Sequence, residues 1–155
     1  MATWNYRAGL QNVGSYQVSG RPYATGSIDA LTPERAGVEA PIVVRFPKIT
    51  RWVVVSNLDQ AHTLRVGFSS NGVSGSRAAA AHGGPYPNYF LRVPANTMTQ
   101  PLELKVTELW LSGSNNIDVM AGLTFIDVNN INNTSVSPGT GNETDGTNWT
   151  GSIGV

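Results

Sequence analysis

The sequence predicts an all-β domain, a single β-sandwich with jelly-roll or Greek-key topology, followed by a polar C-terminal tail. Three observations lead to this prediction. Short apolar segments alternate with polar positions at the period of two expected of half-buried strands. Turn residues separate these segments at regular spacing, which gives six to eight strands in one domain. No segment has the periodicity of a long amphipathic helix, and long connections favour a Greek-key path over a simple meander.

Three strands are predicted in the N-terminal half. Residues 38–46 alternate with one apolar face, and Pro41 removes a ladder donor, which predicts an edge strand or a bulge. Residues 49–58 are apolar on both faces around Trp52, which predicts a central strand. Residues 63–70 alternate again and direct three apolar side chains inward: Leu64, Val66 and Phe68.

Three further strands are predicted in the C-terminal half. Residues 88–96 form the first of them. Within residues 101–113 the apolar phase changes at Thr107–Glu108, and because the faces of a strand alternate strictly, a bulge or a sheet-switching bend is expected there. Residues 117–127 are expected to direct four side chains inward: Val119, Ala121, Leu123 and Phe125.

Two connections and a tail complete the predicted organisation. Residues 29–37 have the signals of one helical turn, and residues 71–87 form a long loop of small residues. Residues 1–128 are assigned to the β-sandwich domain, including an N-terminal extended segment. Residues 129–155 are assigned to an Asn-, Gly- and Thr-rich tail, which has too few apolar groups to fold alone.

Charge is scarce and unevenly distributed. Charged residues make up 13% of the chain, which favours proteins that remain in contact with other proteins. Residues 1–105 carry a net charge of +5 and residues 106–155 a net charge of −5. This division arises by chance, or it lets the acidic part meet a basic face of its own subunit or a neighbour. No basic cluster is dense enough to follow a phosphate backbone, so no nucleic-acid partner is expected.

No catalytic, cofactor-binding or metal-binding residues are predicted. The chain has no cysteine, and its two histidines, His62 and His82, lack metal-ligand spacing and are expected at the surface. No apolar run is long enough for a transmembrane helix, and no signal peptide is visible, so no membrane partner is expected. We therefore expect a protein that is not an enzyme.

Aromatic residues leave a carbohydrate-binding module open as an alternative. Trp52 and Trp110 lie within predicted strands and are expected in the core. Tyr86 and Tyr89 are the more plausible exposed pair. No carboxylate or amide cluster accompanies them, so a glycan ligand has no further support from the sequence.

Two segments carry a resemblance to a known class of protein. "NVGSYQVSGRPYATGS" (12–27) and "VVRFPKITRWVVVSNLDQAHTLRVGF" (43–68) resemble small jelly-roll virion structural proteins of large algal double-stranded DNA viruses and of marine phages. The resemblance implies a penton or minor capsid protein located in the virion. Its implied partners are copies of itself, as a pentamer or less favourably a trimer, and other capsid proteins. A phage decoration, tail or fibre-attachment protein is the nearest alternative.

Residues at both ends of the chain are candidates for assembly contacts. The N-terminal segment offers extended backbone and amphipathic tyrosines, and it forms either an assembly strand or an ordinary first strand of the sandwich. The tail offers two apolar anchors for the surface of a neighbour. The assembly-interface candidates are Tyr16, Arg21, Tyr23, Trp149 and Ile153.

Overall fold

The computed structural model describes residues 20–31, 41–68, 73 and 90–130. These residues contain eight β-strands and one short 3-10 turn at Val128–Asn130. The strands are β1 (Arg21–Ile28), β2 (Ile42–Arg45), β3 (Thr50–Asn57), β4 (Leu64–Gly67), β5 (Phe90–Val93), β6 (Thr97–Met98), β7 (Glu108–Ser112) and β8 (Ile117–Leu123).

The strands form two antiparallel sheets of four strands each. The first sheet has the order β1-β8-β3-β6 and the second has the order β2-β7-β4-β5. Successive strands cross from one sheet to the other, except that β4 and β5 pair within one sheet. This path is the jelly roll, so the predicted all-β sandwich is confirmed.

The hydrophobic core lies between the two sheets. Inward-facing residues alternate along β3 and β8 of the first sheet and meet those of β4 and β7 of the second. The most completely buried members include Val53, Val55, Leu64, Leu109, Leu111, Ile117 and Val119. Burying side chains of this size contributes about 1.5–3 kcal/mol each, so this layer supplies most of the stabilisation.

The predicted roles of the N-terminal strands are confirmed. β2 begins immediately after Pro41 and pairs only with β7 among the described residues, so it is an edge strand. β3 pairs with β8 on one side and β6 on the other, so it is central. Leu64 and Val66 are buried as expected, and Phe68 is half-buried.

The phase change predicted at Thr107–Glu108 marks a crossing between sheets. Leu102 exchanges two backbone hydrogen bonds with Val53 of the first sheet, at 2.8 and 2.9 Å. The chain then passes the end of β3, where Thr50 N donates to Val106 O at 3.1 Å, and enters the second sheet as β7. Residues 101–113 are therefore not one strand, and the sheet-switching bend is the correct alternative.

The expected inward orientation of Phe125 is wrong. β8 ends at Leu123, and Thr124 turns inward, where its hydroxyl donates to Ile49 O at 2.8 Å. Ile126 then packs on Ile49 in a small second core, and Phe125 is left 60% exposed. The Phe125 ring lies over Gly20, so closely that a side chain at position 20 would collide with the ring.

Several predictions fall on residues outside the described ranges. These are most of the helical turn at 29–37, the loop at 71–87 except Val73, and the tail beyond residue 130. The same holds for His82, Tyr16, Tyr86, Tyr89, Trp149 and Ile153. Within the described ranges, no helix has the length and apolar character needed to cross a membrane.

Candidate assembly surface

The outer face of the first sheet is largely apolar. Met120 of β8 lies between Ala24 of β1 and Val54 of β3 in the register of the sheet. Met98 of β6 lies opposite Ser56 at the far end of the same face. Met98 is 68% exposed and Met120 is 49% exposed. Two large flexible apolar side chains therefore project from a surface where a soluble monomer usually places polar groups.

Trp52 extends this apolar face. It is half-buried and lies opposite Gly122, which in turn lies opposite Pro22 of β1. The expectation that Trp52 belongs to the core is wrong, because Val53 faces inward and a register shift between Thr50 and Trp52 leaves Trp52 on the outer side. The expectation for Trp110 is also wrong: it is half-buried in β7, between the inward-facing Leu109 and Leu111. We define the outer-face residues Pro22, Ala24, Trp52, Val54, Met98 and Met120 as the apolar face.

A shallow groove crosses the apolar face. Its volume is about 450 Å³, and the floor is formed by residues of β1, β3 and β8. Val54 and Met120 line its apolar part, and Ser56 and Asp118 line one end. A groove of this size accepts one or two side chains of a partner surface.

Among the strands that the structure describes, β1 is an edge strand, and this edge is poorly suited to strand addition. Pro22 has no N–H to donate, and the register shifts between Thr25 and Ile28. At this bulge, Ser27 has a positive φ of 57°, and its N–H donates to Asp118 Oδ1 at 2.9 Å. Such irregularities protect edge strands from pairing with another chain. Contacts on the face of the sheet are therefore favoured over extension of its edge.

The described N-terminal candidates belong to the domain's own first strand. Residues 21–28 pair with β8, so this part of the segment is an ordinary first strand rather than a detached assembly arm. Tyr23 packs edge-on against Phe46, with ring centroids 5.1 Å apart, and contributes to the core. Arg21 lies exposed at the start of β1, opposite Leu123 of β8.

A buried polar cluster closes one end of the sandwich. Asn57 is fully buried, and its Nδ2 donates to the carbonyls of His62, Val93 and Pro94 at 2.9, 3.1 and 3.1 Å. Its Oδ1 accepts from Ser114 Oγ at 2.7 Å. Asn57 therefore joins the β3–β4 loop to the end of β5 and to the β7–β8 turn.

Asp59 forms the outer part of the same cluster. Its carboxylate accepts from the backbone N–H groups of Ala61, His62 and Asn115 and contacts His62 Nδ1 at 2.9 Å. These bonds, first that from Ala61, lower the pKa of Asp59 from 3.8 to about 2. The nearby hydroxyl of Ser114 donates to Asn57 rather than to His62. The cluster fixes loops and lacks the nucleophile–base contact of a catalytic triad.

The same described residues contain no group of three or more side chains able to hold a metal ion. The sequence did not identify the apolar face. Val54 and Val55 lie on opposite sides of β3 and both are apolar, so the pattern does not show which side packs against the second sheet. The placement of Met120 and Met98 on one face, in strands on either side of β3, required the register of the sheet. Comparisons with protein-family models, with curated proteins and with solved structures found no match to this chain.

Proposed function

We propose that the protein is a non-enzymatic structural subunit of a virion, which assembles with copies of itself through the apolar face. The observation that carries this proposal is the exposure of Met98 and Met120 on the outer face of the first sheet. The jelly roll is used by viral capsid proteins, by lectins and by cupins, so the fold alone does not choose among them. The surface chemistry supports the capsid role.

Two features favour a second copy as the partner of the apolar face. The face carries one ionisable side chain in its groove, Asp118, which already accepts a hydrogen bond from Ser27 N. Such a surface approaches a neighbouring subunit without strong like-charge repulsion. Identical subunits commonly form closed symmetric oligomers, and in a ring of three or five the apolar face of each subunit packs against a different surface of the next.

The described residues favour this role over the lectin and cupin alternatives. A cupin-type metal site needs several converging ligands, and none are grouped here within residues 20–31, 41–68 and 90–130. A sugar platform needs a free polar group beside an aromatic ring. The carboxylate nearest Trp110 is that of Glu108, which is 2% exposed, accepts from Trp110 Nε1 at 3.0 Å and pairs with Arg45.

Sedimentation over a range of concentrations tests the proposal. The wild-type protein is expected to form a closed oligomer, with a pentamer indicating a penton and a trimer a decoration or fibre protein. Met120→Lys is expected to weaken association at least tenfold, because it introduces a charge into the interface. The matched control is Leu91→Lys on the second sheet, since Leu91 is 47% exposed and Met120 is 49% exposed.

Two results would contradict the proposal. One is a wild-type protein that stays monomeric at every concentration and binds glycans, which is the behaviour of a lectin. The other is an oligomer that Met120→Lys leaves intact while Leu91→Lys disrupts it, which would move the interface to the second sheet.

A further inference from the structure

The outer face of the second sheet carries two arginines side by side. Arg65 of β4 lies directly opposite Arg92 of β5 in the antiparallel register. Both guanidinium groups lie over the ring of Phe90, at 5.2 and 5.6 Å from its centroid. Like charges directly opposite each other in a sheet repel. The shared aromatic ring holds both cations in place without neutralising either one.

No carboxylate of the described residues neutralises this arginine pair. All six acidic side chains within residues 20–31, 41–68 and 90–130 have another partner. These contacts are Asp29 with Leu31 N, Asp59 with His62, Glu103 with Arg51, Glu108 with Arg45, Asp118 with Ser27 N and Asp127 with Lys48. Arg45, Lys48 and Arg51 therefore have acidic partners, and the arginine pair has an aromatic one.

Four acidic residues of the chain remain: Glu34, Glu39, Glu143 and Asp145. Glu34 and Glu39 are five residues apart, and Arg35 lies between them. Glu143 and Asp145 are two residues apart in a stretch, 131–155, that contains no basic residue. Extended backbone places such a pair on one side at a spacing of about 6.6 Å, which suits two arginine side chains whose Cβ atoms are about 5 Å apart.

We propose that the arginine pair Arg65–Arg92 is a carboxylate-binding site for Glu143 and Asp145 in the C-terminal segment of the same subunit. The 13 residues from Asn130 to Glu143 span up to about 43 Å. A domain of about 130 residues has a radius of gyration of about 14 Å, so the segment reaches the site without strain. Attachment to the same chain also raises the local concentration of the carboxylates.

Arginine suits this role because its planar guanidinium group donates two parallel hydrogen bonds to one carboxylate. Two such groups on Phe90 form a site that requires little ordering when the segment binds. The inference does not rest on the virion role, since it concerns contacts within one chain. On this proposal, the acidic C-terminal part of the sequence contacts a specific basic site, the arginine pair.

Chemical cross-linking in the full chain tests the proposal, because the wild-type protein contains no cysteine. The test variant carries Thr63→Cys, at an exposed position two residues before Arg65, together with Thr144→Cys, and a short bis-maleimide reagent is applied at low protein concentration. We expect a cross-linked monomer. The control variant carries Met120→Cys and Thr144→Cys, which places the first thiol on the opposite sheet, and at least fivefold less monomer cross-linking is expected there.

A charge exchange then tests the chemistry. Arg92→Glu, added to the test variant, is expected to reduce cross-linking at least fivefold, and adding Glu143→Arg to that protein is expected to restore it. Salt at 1 M is expected to reduce cross-linking of the unexchanged variant, because the Debye length falls to about 3 Å. Equal cross-linking to both faces, or cross-linked dimers in place of monomers, would overturn the proposal. Binding of an anionic oligonucleotide at Arg92, with no cross-link to residue 144, would also overturn it and assign the pair to phosphate.

Discussion

Replacement of Asn57 by alanine is expected to be among the most destabilising single changes in the described part of the chain. The side chain is fully buried and joins three separate segments. Its Nδ2 donates to three carbonyls at distances between 2.9 and 3.1 Å, and its Oδ1 accepts from Ser114 Oγ and from Asp59 N. Alanine removes all of these hydrogen bonds and has no polar side-chain atom that could replace them.

The magnitude follows from the groups that lose a partner. The Asn57→Ala variant leaves Val93 O, Ser114 Oγ and Asp59 N without this partner in buried positions. A buried polar group without a partner costs about 1–3 kcal/mol. Water admitted beside the partly exposed His62 recovers part of this cost, so we expect a loss of about 3–5 kcal/mol in the free energy of unfolding.

Urea denaturation followed by far-ultraviolet circular dichroism measures this loss. The control is Asn115→Ala in the adjacent turn, where the side chain is exposed and only the backbone N–H bonds to the cluster. Such a surface change is expected to alter stability by no more than about 0.5 kcal/mol. A loss below about 1 kcal/mol for Asn57→Ala would refute the reasoning, because it would mean that the buried bonds contribute no more than exposed ones.

Three further predictions concern the same end of the sandwich and the core. The folded pKa of Asp59, about 2, lies below its ordinary value of 3.8, so its contribution is complete above pH 3.8 and is lost as the pH falls towards 2. The difference in melting temperature between wild type and Asp59→Asn is therefore expected to shrink over that interval; a constant difference would contradict the assignment. His62→Ala is expected to change unfolding free energy by less than about 1 kcal/mol, because its ring is half-exposed; a larger loss in urea titrations would refute this. Leu111→Ala is expected to cost about 2–5 kcal/mol by the same assay, and a cost under 1 kcal/mol would place Leu111 outside the core.

Strand positions followed from the sequence because burial in a sandwich imposes period two. Val53 and Val55 alternate with Trp52 and Val54, so a strand at 50–57 was predictable. The side of this strand that faces the core was not predictable, since both sides are apolar. The register that sets Met120 beside Val54 depends on pairing between residues far apart in sequence.

Departures from the predicted alternation have local causes. The inward orientation predicted for Phe125 is wrong because Thr124 turns inward instead, and its hydroxyl donates to Ile49 O. These two residues are 75 positions apart in the sequence. The arginine pair escaped detection because Arg65 and Arg92 become neighbours only when β4 and β5 are aligned. The sequence shows that the acidic residues are concentrated in the C-terminal part, but it does not show which basic residues they contact.

Methyl NMR of methionine-labelled protein tests the central claim, that the apolar face is the assembly surface, most directly. The chain has three methionines, and two of them, Met98 and Met120, lie on this face. A soluble paramagnetic agent broadens exposed methyl signals. The account predicts that both methyl signals are broadened in dilute monomer and become protected as sedimentation reports assembly. Assembly that leaves both methyl groups fully accessible to the agent would contradict it.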